Sequence, residues 1–377
     1  MKRGIFFTGI FLLIYALGHS QDQKTYTIVG YVYSGHINNT ADSIAVEKLT
    51  HINYAFANIK DGKIIEGHSK DSLRLAKINT MKSINPDLKL LVSVGGWSWS
   101  DHFSDAVLTK TSREVFANSA ADFILKHKLN GIDLDWEYPG QPGEGNTYRS
   151  EDKGNFTLAL KRIREKLDSL TSVTDENYLL TIASGANQKY LDHIEMDTLH
   201  HYLDYINIMG YDFHGEWNTE TGHHCNLYES ATDTTANKRS VLKAINQHIE
   251  AGAPVEKLVM GVAFYGRGWY GVQEENNGLH QWASKGGFSI PYRDISDSIA
   301  KGNFQQLWDK KAKAPFLWNK KTRTFISYES SNSLKEKTQL IKEKKMGGAM
   351  FWEYHADNGT LLNTLYRELS TPESDEQ

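Results

Sequence analysis

Short apolar runs rich in β-branched and aromatic residues recur along the chain, and most are separated by segments whose apolar positions fall three and four apart. The runs at 27–33, 51–57, 89–94, 131–136, 178–183, 205–209, 258–264 and 348–352 read as eight strands. Between them, 112–127 places Val115, Phe116, Ser119, Phe123 and Ile124 on one helical face, and 155–170 does the same with Phe156, Leu160, Ile163 and Leu167. Segments 240–251 and 333–345 are shorter examples. Eight alternating units predict an α/β chain whose parallel strands close into a (β/α)8, or TIM, barrel, with a doubly wound open sheet as the alternative.

The seventh unit breaks the pattern. Some 80 residues separate Phe264 from Gly348, and they hold Trp269, Trp282, Phe288, Tyr292, Phe304, Trp308, Phe316, Trp318, Phe325 and Tyr328. A stretch of that length without structure of its own is implausible. It reads as several short strands with a helix near 292–300, a small α+β insertion domain after strand 7. The expected organisation is barrel over 21–265, insertion over 266–340, barrel completion by strand 8 and a last helix over 341–369, and a polar, disordered tail at 370–377.

The N-terminus differs in character. Lys2 and Arg3 precede an apolar run from Ile5 to Leu17 and then Gly18-His19-Ser20, the order of a secretory signal spanning 1–20. The run is short for a membrane span, and an uncleaved membrane anchor is the alternative. The expectation is a secreted, extracellular or periplasmic protein that is not membrane-bound once the signal is removed. Loss of Lys2 and Arg3 takes the formal charge from −4 to −6. An acidic chain has no electrostatic reason to bind nucleic acid. With 40% hydrophobic and 23% charged residues among 377, it can bury a full core. Cys225 is the sole cysteine, so no internal disulfide forms and a small filler role is expected of it. The pairs His200-His201 and His223-His224 have no partner at metal-site spacing, so neither metal nor cofactor is expected. A monomer is expected.

The chemistry concentrates in Asn130-Gly131-Ile132-Asp133-Leu134-Asp135-Trp136-Glu137-Tyr138-Pro139. Asp133, Asp135 and Glu137 alternate, so on a strand they share one face, successive ones about 6–7 Å apart. Ile132, Leu134 and Trp136 take the other face. In a barrel the acids then point inward and the apolar residues meet the helices. Three carboxylates crowded in a barrel interior cannot all ionise cheaply, so at least one should hold a proton near neutral pH. A protonated Glu at the C-terminal end of a barrel strand is what a general acid requires.

This run resembles the DxxDxDxE signature of glycoside hydrolase family 18, the chitinases, with Asn130 where the family has its leading Asp. Other segments are similar in order and spacing: Asn53-Tyr54-Ala55-Phe56, Ser93-Val94-Gly95-Gly96, Met209-Gly210-Tyr211-Asp212-Phe213-His214-Gly215 followed by Trp217, Phe264-Tyr265-Gly266-Arg267, and Gly348-Ala349-Met350-Phe351-Trp352. The resemblance covers nearly all of the chain beyond residue 20, and the chitinase branch also carries an insertion after strand 7.

The resemblance implies hydrolysis of the β-1,4 bonds of chitin and N-acetylglucosamine oligosaccharides, retaining, with the substrate's own N-acetyl group as nucleophile. It implies Glu137 as proton donor, Asp135 as the group that orients the acetamido N–H, Asp133 as its partner in sharing a proton, and Tyr211 as donor to the acetamido oxygen. Trp352 is expected as the floor under the reacting sugar. Met209, Asp212 and Arg267 complete the cleft, and Trp97 and Trp217, with Trp269 as a further candidate, stack on neighbouring sugars. Phe56, Tyr31 and Gly96 are further expected substrate contacts. Ser93 and Gly95 are expected to serve packing. Two alternatives stay open: an endo-β-N-acetylglucosaminidase acting on N-glycans, and a non-catalytic chitin-binding lectin. Gly266-Arg267-Gly268-Trp269-Tyr270-Gly271 spells a dinucleotide fingerprint, but an Asn-, Gly- and Trp-rich continuation in place of a helix argues against it. Asn38, Asn155 and Asn358 head Asn-x-Thr sequons.

Overall fold

The computed structural model describes residues 25–37 and 44–370. The signal segment, the sequon at Asn38 and the tail beyond Ser370 lie outside the described residues. Eight parallel strands close on themselves: β1 (Thr27–Tyr33), β2 (His51–Lys60), β3 (Lys89–Gly95), β4 (Gly131–Asp135), β5 (Leu179–Gly185), β6 (Tyr205–Met209), β7 (Leu258–Ala263) and β8 (Gly348–Trp352). β1 pairs with β2 from Val29 opposite His51, and with β8 from Thr27 opposite Gly348, which closes the ring. The fold is the (β/α)8 barrel that the alternating pattern predicts.

Strand β4 shows why the pattern works. Ile132, Leu134 and Trp136 are fully buried in the layer between barrel and helices. Trp136 stacks on Phe103 at 5.2 Å and meets Phe156 edge-on at 5.3 Å. Phe156 lies on the helix Asp152–Thr174, whose buried stripe also includes Leu160, Ile163 and Leu167. The preceding helix, Lys110–His127, buries Phe116, Ser119, Phe123 and Ile124; Thr109 caps it by accepting from the Ser112 N–H. It ends at Lys128, whose φ of 54° turns the chain into the strand.

β2 runs three residues past its expected end. Asp61 and Gly62, with φ of 51° and 71°, make the tight turn that lets Lys63–Glu66 pair back on it. Between β7 and β8 a five-stranded antiparallel sheet is inserted, in the order Gly287–Pro291, Tyr265–Trp269, Thr324–Ser327, Ala314–Asn319, Gln305–Asp309. The helix Tyr292–Ala300 lies where the sequence pattern puts it. This sheet has its own apolar cluster of Trp269, Val272, Leu279, Ala283, Phe316, Trp318 and Phe325. Cys225 is buried and unpaired. Among the described residues no helix is long and apolar enough to cross a membrane.

Candidate active site

The C-terminal ends of the barrel strands converge on the acids of β4. Asp133 lies deepest and is fully buried. Its carboxylate accepts from Tyr31 (2.8 Å), Ser93 (2.8 Å), Thr181 (2.5 Å) and Asn207 (3.3 Å), donors carried by β1, β3, β5 and β6. Burial pushes its pKa up and those hydrogen bonds pull it back, leaving it above the usual carboxylate range. Asp135, two residues on, is 5% exposed, and its buried Oδ1 has no partner among the described residues. Burial, then the charges of Glu137 and Asp133, push its pKa well up. Glu137 follows at the rim, partly exposed. Its N–H donates to Ser100 Oγ at 2.9 Å, and Ser100 in turn donates to the Asp135 carbonyl. Burial, aided by the charge of Asp212, raises Glu137 to about 7 against a hydrogen bond from Tyr138.

Around the acids stand the aromatic residues. Trp352, at the end of β8, stacks on Phe56 at 5.4 Å with planes 20° apart. Tyr211 follows β6; burial and the charges of Asp135, Asp212 and Glu137 hold its hydroxyl well above the usual pKa, hence protonated. Met209 shares an apolar cluster with Tyr211, Trp352, Phe56 and Met350. The peptide bonds Ala55–Phe56, within β2, Glu137–Tyr138, just past β4, and Trp352–Glu353, at the end of β8, are cis.

Asp212 anchors the side of the cleft nearer the inserted sheet. It accepts from Arg267 through Nε and Nη2, both at 2.9 Å, and from the Tyr265 hydroxyl at 2.7 Å. His224 Nδ1 stands 3.8 Å away. Burial alone would raise the Asp212 pKa, but His224 and the two-pronged guanidinium outweigh it and hold the carboxyl well below the usual range. Arg267 also reaches Glu216 at 2.7 Å and lies 4.9 Å over the Trp217 ring.

The model of the glycosyl hydrolases family 18 matches residues 27–357. The chain belongs to that family. Chitinase A1 of Niallia circulans is 38% identical over 98% of this family 18 chain, which spans 63% of that protein's length. Chitotriosidase-1 of Mus musculus is 31% identical over 87% of the chain and 74% of its own length. Among solved structures, a family 18 N-acetylglucosaminidase from Paenibacillus barengoltzii superposes with a TM-score of 0.85 at 39% identity, over 91% of this chain and 99% of that one. A Bacillus thuringiensis chitinase superposes with a TM-score of 0.88 at 34% identity, over 94% and 71%.

Several expectations for this family 18 chain need correction in detail. Tyr31 is 2% exposed, and its hydroxyl is engaged by Asp133, so it supports the acids from beneath and presents no free face to a sugar. Trp269 is fully buried in the inserted sheet's core, its Nε1 donating to the Asn218 carbonyl; the GxGxxG segment around it begins as a strand paired on both sides and is not a cofactor loop. Ser93 does more than pack, since it holds Asp133. Gly96, at φ 76°, is buried and admits no side chain, because a Cβ there would lie 2.7 Å from the Phe56 ring. Its neighbour Gly95, at φ 99°, brings the chain within 2.5 Å of the Asp135 carbonyl at the place a Cβ would take. His223 and His224 are buried packing residues. Trp97 and Trp217 are half exposed on the rim.

Sequence reasoning missed Thr181, Asn207, Ser100, Tyr138, Tyr265 and His224. Asn207 and Thr181 occupy alternate, inward positions of predicted strands, where a polar residue among apolar ones is itself a signal. Asn130 is no defect: its Oδ1 accepts from the Leu90 N–H at 3.0 Å and its backbone bonds both neighbouring strands.

Proposed function

We propose that this family 18 hydrolase cleaves β-1,4 bonds of chitin and chitooligosaccharides, with retention, through participation of the substrate's N-acetyl group. The observation that carries the proposal is the gradient along β4. The deepest acid is saturated with hydrogen bonds, the middle one has an unpartnered buried oxygen, and the outermost is raised to about 7.

Glu137, protonated up to neutral pH, donates its proton to the glycosidic oxygen as the bond to the anomeric carbon breaks. The acetamido oxygen of the same sugar closes on that carbon and forms a cyclic oxazolinium ion. A buried acceptor without a donor is costly, and the acetamido N–H is the donor that Asp135 Oδ1 lacks. Asp135, raised by burial and its acidic neighbours, shares its proton with Asp133, and the carboxylate charge this leaves facing the substrate stabilises the positive ring. Tyr211 donates to the acetamido oxygen and fixes its line of attack. Water, deprotonated by the now anionic Glu137, opens the ring from the face the leaving group vacated. Trp352 supplies the apolar floor, with Met209, Asp212 and Arg267 lining the sides and Trp97 and Trp217 offering ring faces to further sugars. The chitinases among the relatives support chitin as the substrate, as does the rim tryptophan pair, which suits a polymer occupying several subsites.

A second reading, an N-acetylglucosaminidase, is favoured by one observation: the Paenibacillus barengoltzii enzyme of that name matches over 99% of its own length. Product analysis from chitohexaose decides between them. Disaccharide and longer products, first formed as β-anomers, support the chitinase. Monosaccharide alone supports the second reading, and α-anomers first would overturn the mechanism in both. Export of the protein, suggested by residues 1–20, is part of the same proposal and is tested by recovering activity outside the cell.

A further inference from the structure

The segments following β1 and β8, neighbours in the barrel, bring together three side chains that the hydrolytic mechanism does not use: His36, Glu353 and His355. One donor atom from each lies within 4.8 Å of the others. His36 Nδ1 is 3.3 Å from Glu353 Oε1, and His355 Nδ1 is 3.5 Å from Glu353 Oε2. The two imidazole rings stand edge to face at 5.5 Å. Both ring nitrogens of His355 are buried, and among the described residues neither makes a hydrogen bond. Glu353 is itself 7% exposed.

An ordinary ion pair accounts for one histidine on a carboxylate. It does not account for a second imidazole turned onto the other oxygen of the same carboxylate at 3.5 Å, longer than a good hydrogen bond. A divalent cation does. Four ligands about 2.0–2.1 Å from a tetrahedral ion are separated by roughly 3.3 Å, the separation already present along one edge of the cluster. Two imidazoles and a carboxylate suit zinc or its transition-metal neighbours and not calcium or magnesium, which take oxygen ligands.

We infer that His36, Glu353 and His355 form a binding site for a single zinc-class divalent cation, with at least one coordination position open to water. The site adjoins the candidate cleft: Glu353 follows Trp352 directly, and Tyr33 lies 5.3 Å from the His36 ring and 6.4 Å from the Trp352 ring. Occupancy clamps the ends of β1 and β8 together beside the floor residue. The inference is independent of the proposed hydrolytic reading, because its first readout is binding.

Calorimetric titration of the chelator-treated full chain with Zn2+ tests it. One site per chain is expected, unmatched by Mg2+, and His36→Ala and His355→Ala should each weaken it by at least about tenfold, the lower bound seen even for outer-shell losses. Thermal midpoints without metal, compared with wild type, establish that the variants are folded. Co2+ added to the wild type gives a second measurement that needs no variant: intense visible bands of a tetrahedral nitrogen and oxygen site support the inference. Zinc affinity unchanged in both variants, or only the weak bands of octahedral aqueous Co2+, overturns it.

Discussion

Asp133 and Asp135 sit two residues apart on one strand, both buried, yet Asp133 accepts four hydrogen bonds and Asp135 Oδ1 accepts none. The difference assigns them different work. Asp133 is held in place by donors from four strands; Asp135 is held ready for a donor that arrives with the substrate. Asp135→Asn should therefore leave the fold intact and lower kcat on chitooligosaccharides by about a hundredfold, the scale of losing one positioned electrostatic contact. Unchanged turnover would remove the acetamide-orienting role.

The alkaline limb of the rate profile follows from Glu137. Below about 7 the carboxyl holds the proton that the leaving group needs; above it the rate should fall about tenfold per pH unit. Asp212 contributes to that position by its negative charge. Asp212→Asn should move the limb to lower pH, measured as kcat/KM against pH. A limb that stays in place would show that burial alone sets it.

Stability carries the same sign. The pKa of Glu137 is higher in the folded chain than its usual 4.5, so its proton stabilises the fold fully below about 4.5, and that contribution is lost as pH rises to about 7. Glu137→Gln removes the dependence. The variant should melt higher than wild type at pH 8, by about 1–3 °C for a chain of this size, and the gain should shrink at pH 4. Equal gains at both pH values would contradict a raised folded pKa.

Tyr211→Phe keeps the ring and removes the donor. Turnover should drop by about ten- to a hundredfold with KM little changed. Trp352→Ala should act differently, raising KM by about tenfold or more, because it deletes both the apolar floor and the stack on Phe56. If both variants changed KM alone, neither residue would be acting in the transition state.

How far the sequence was legible varies with the kind of interaction. The barrel was readable because parallel strands are apolar on both faces, and the exceptions on β4 fall at every second residue. The insertion was readable from its length and its aromatic content. The support around Asp133 was not, because Tyr31, Ser93, Thr181 and Asn207 sit on four different strands, and only closure of the barrel gathers them. The same reason hid His36 and His355, 319 positions apart. Trp269 misled because an aromatic after a barrel strand has the same composition signal whether it lines a cleft or fills the core of an inserted sheet. β2 runs past its apolar stretch because the turn pair Asp61-Gly62 folds Lys63–Glu66 back on it, and that pairing extends a strand whose own sequence turns polar at Asn58 and Lys60.

The most direct test of the account is chitohexaose turnover by Glu137→Gln, with binding of the same oligosaccharide measured by calorimetry. Affinity within about threefold of wild type and turnover reduced by about 10²–10⁴-fold are expected of a lost general acid in an intact cleft. Turnover within tenfold of wild type would show that another group delivers the proton, and the assignment of Glu137 would be wrong.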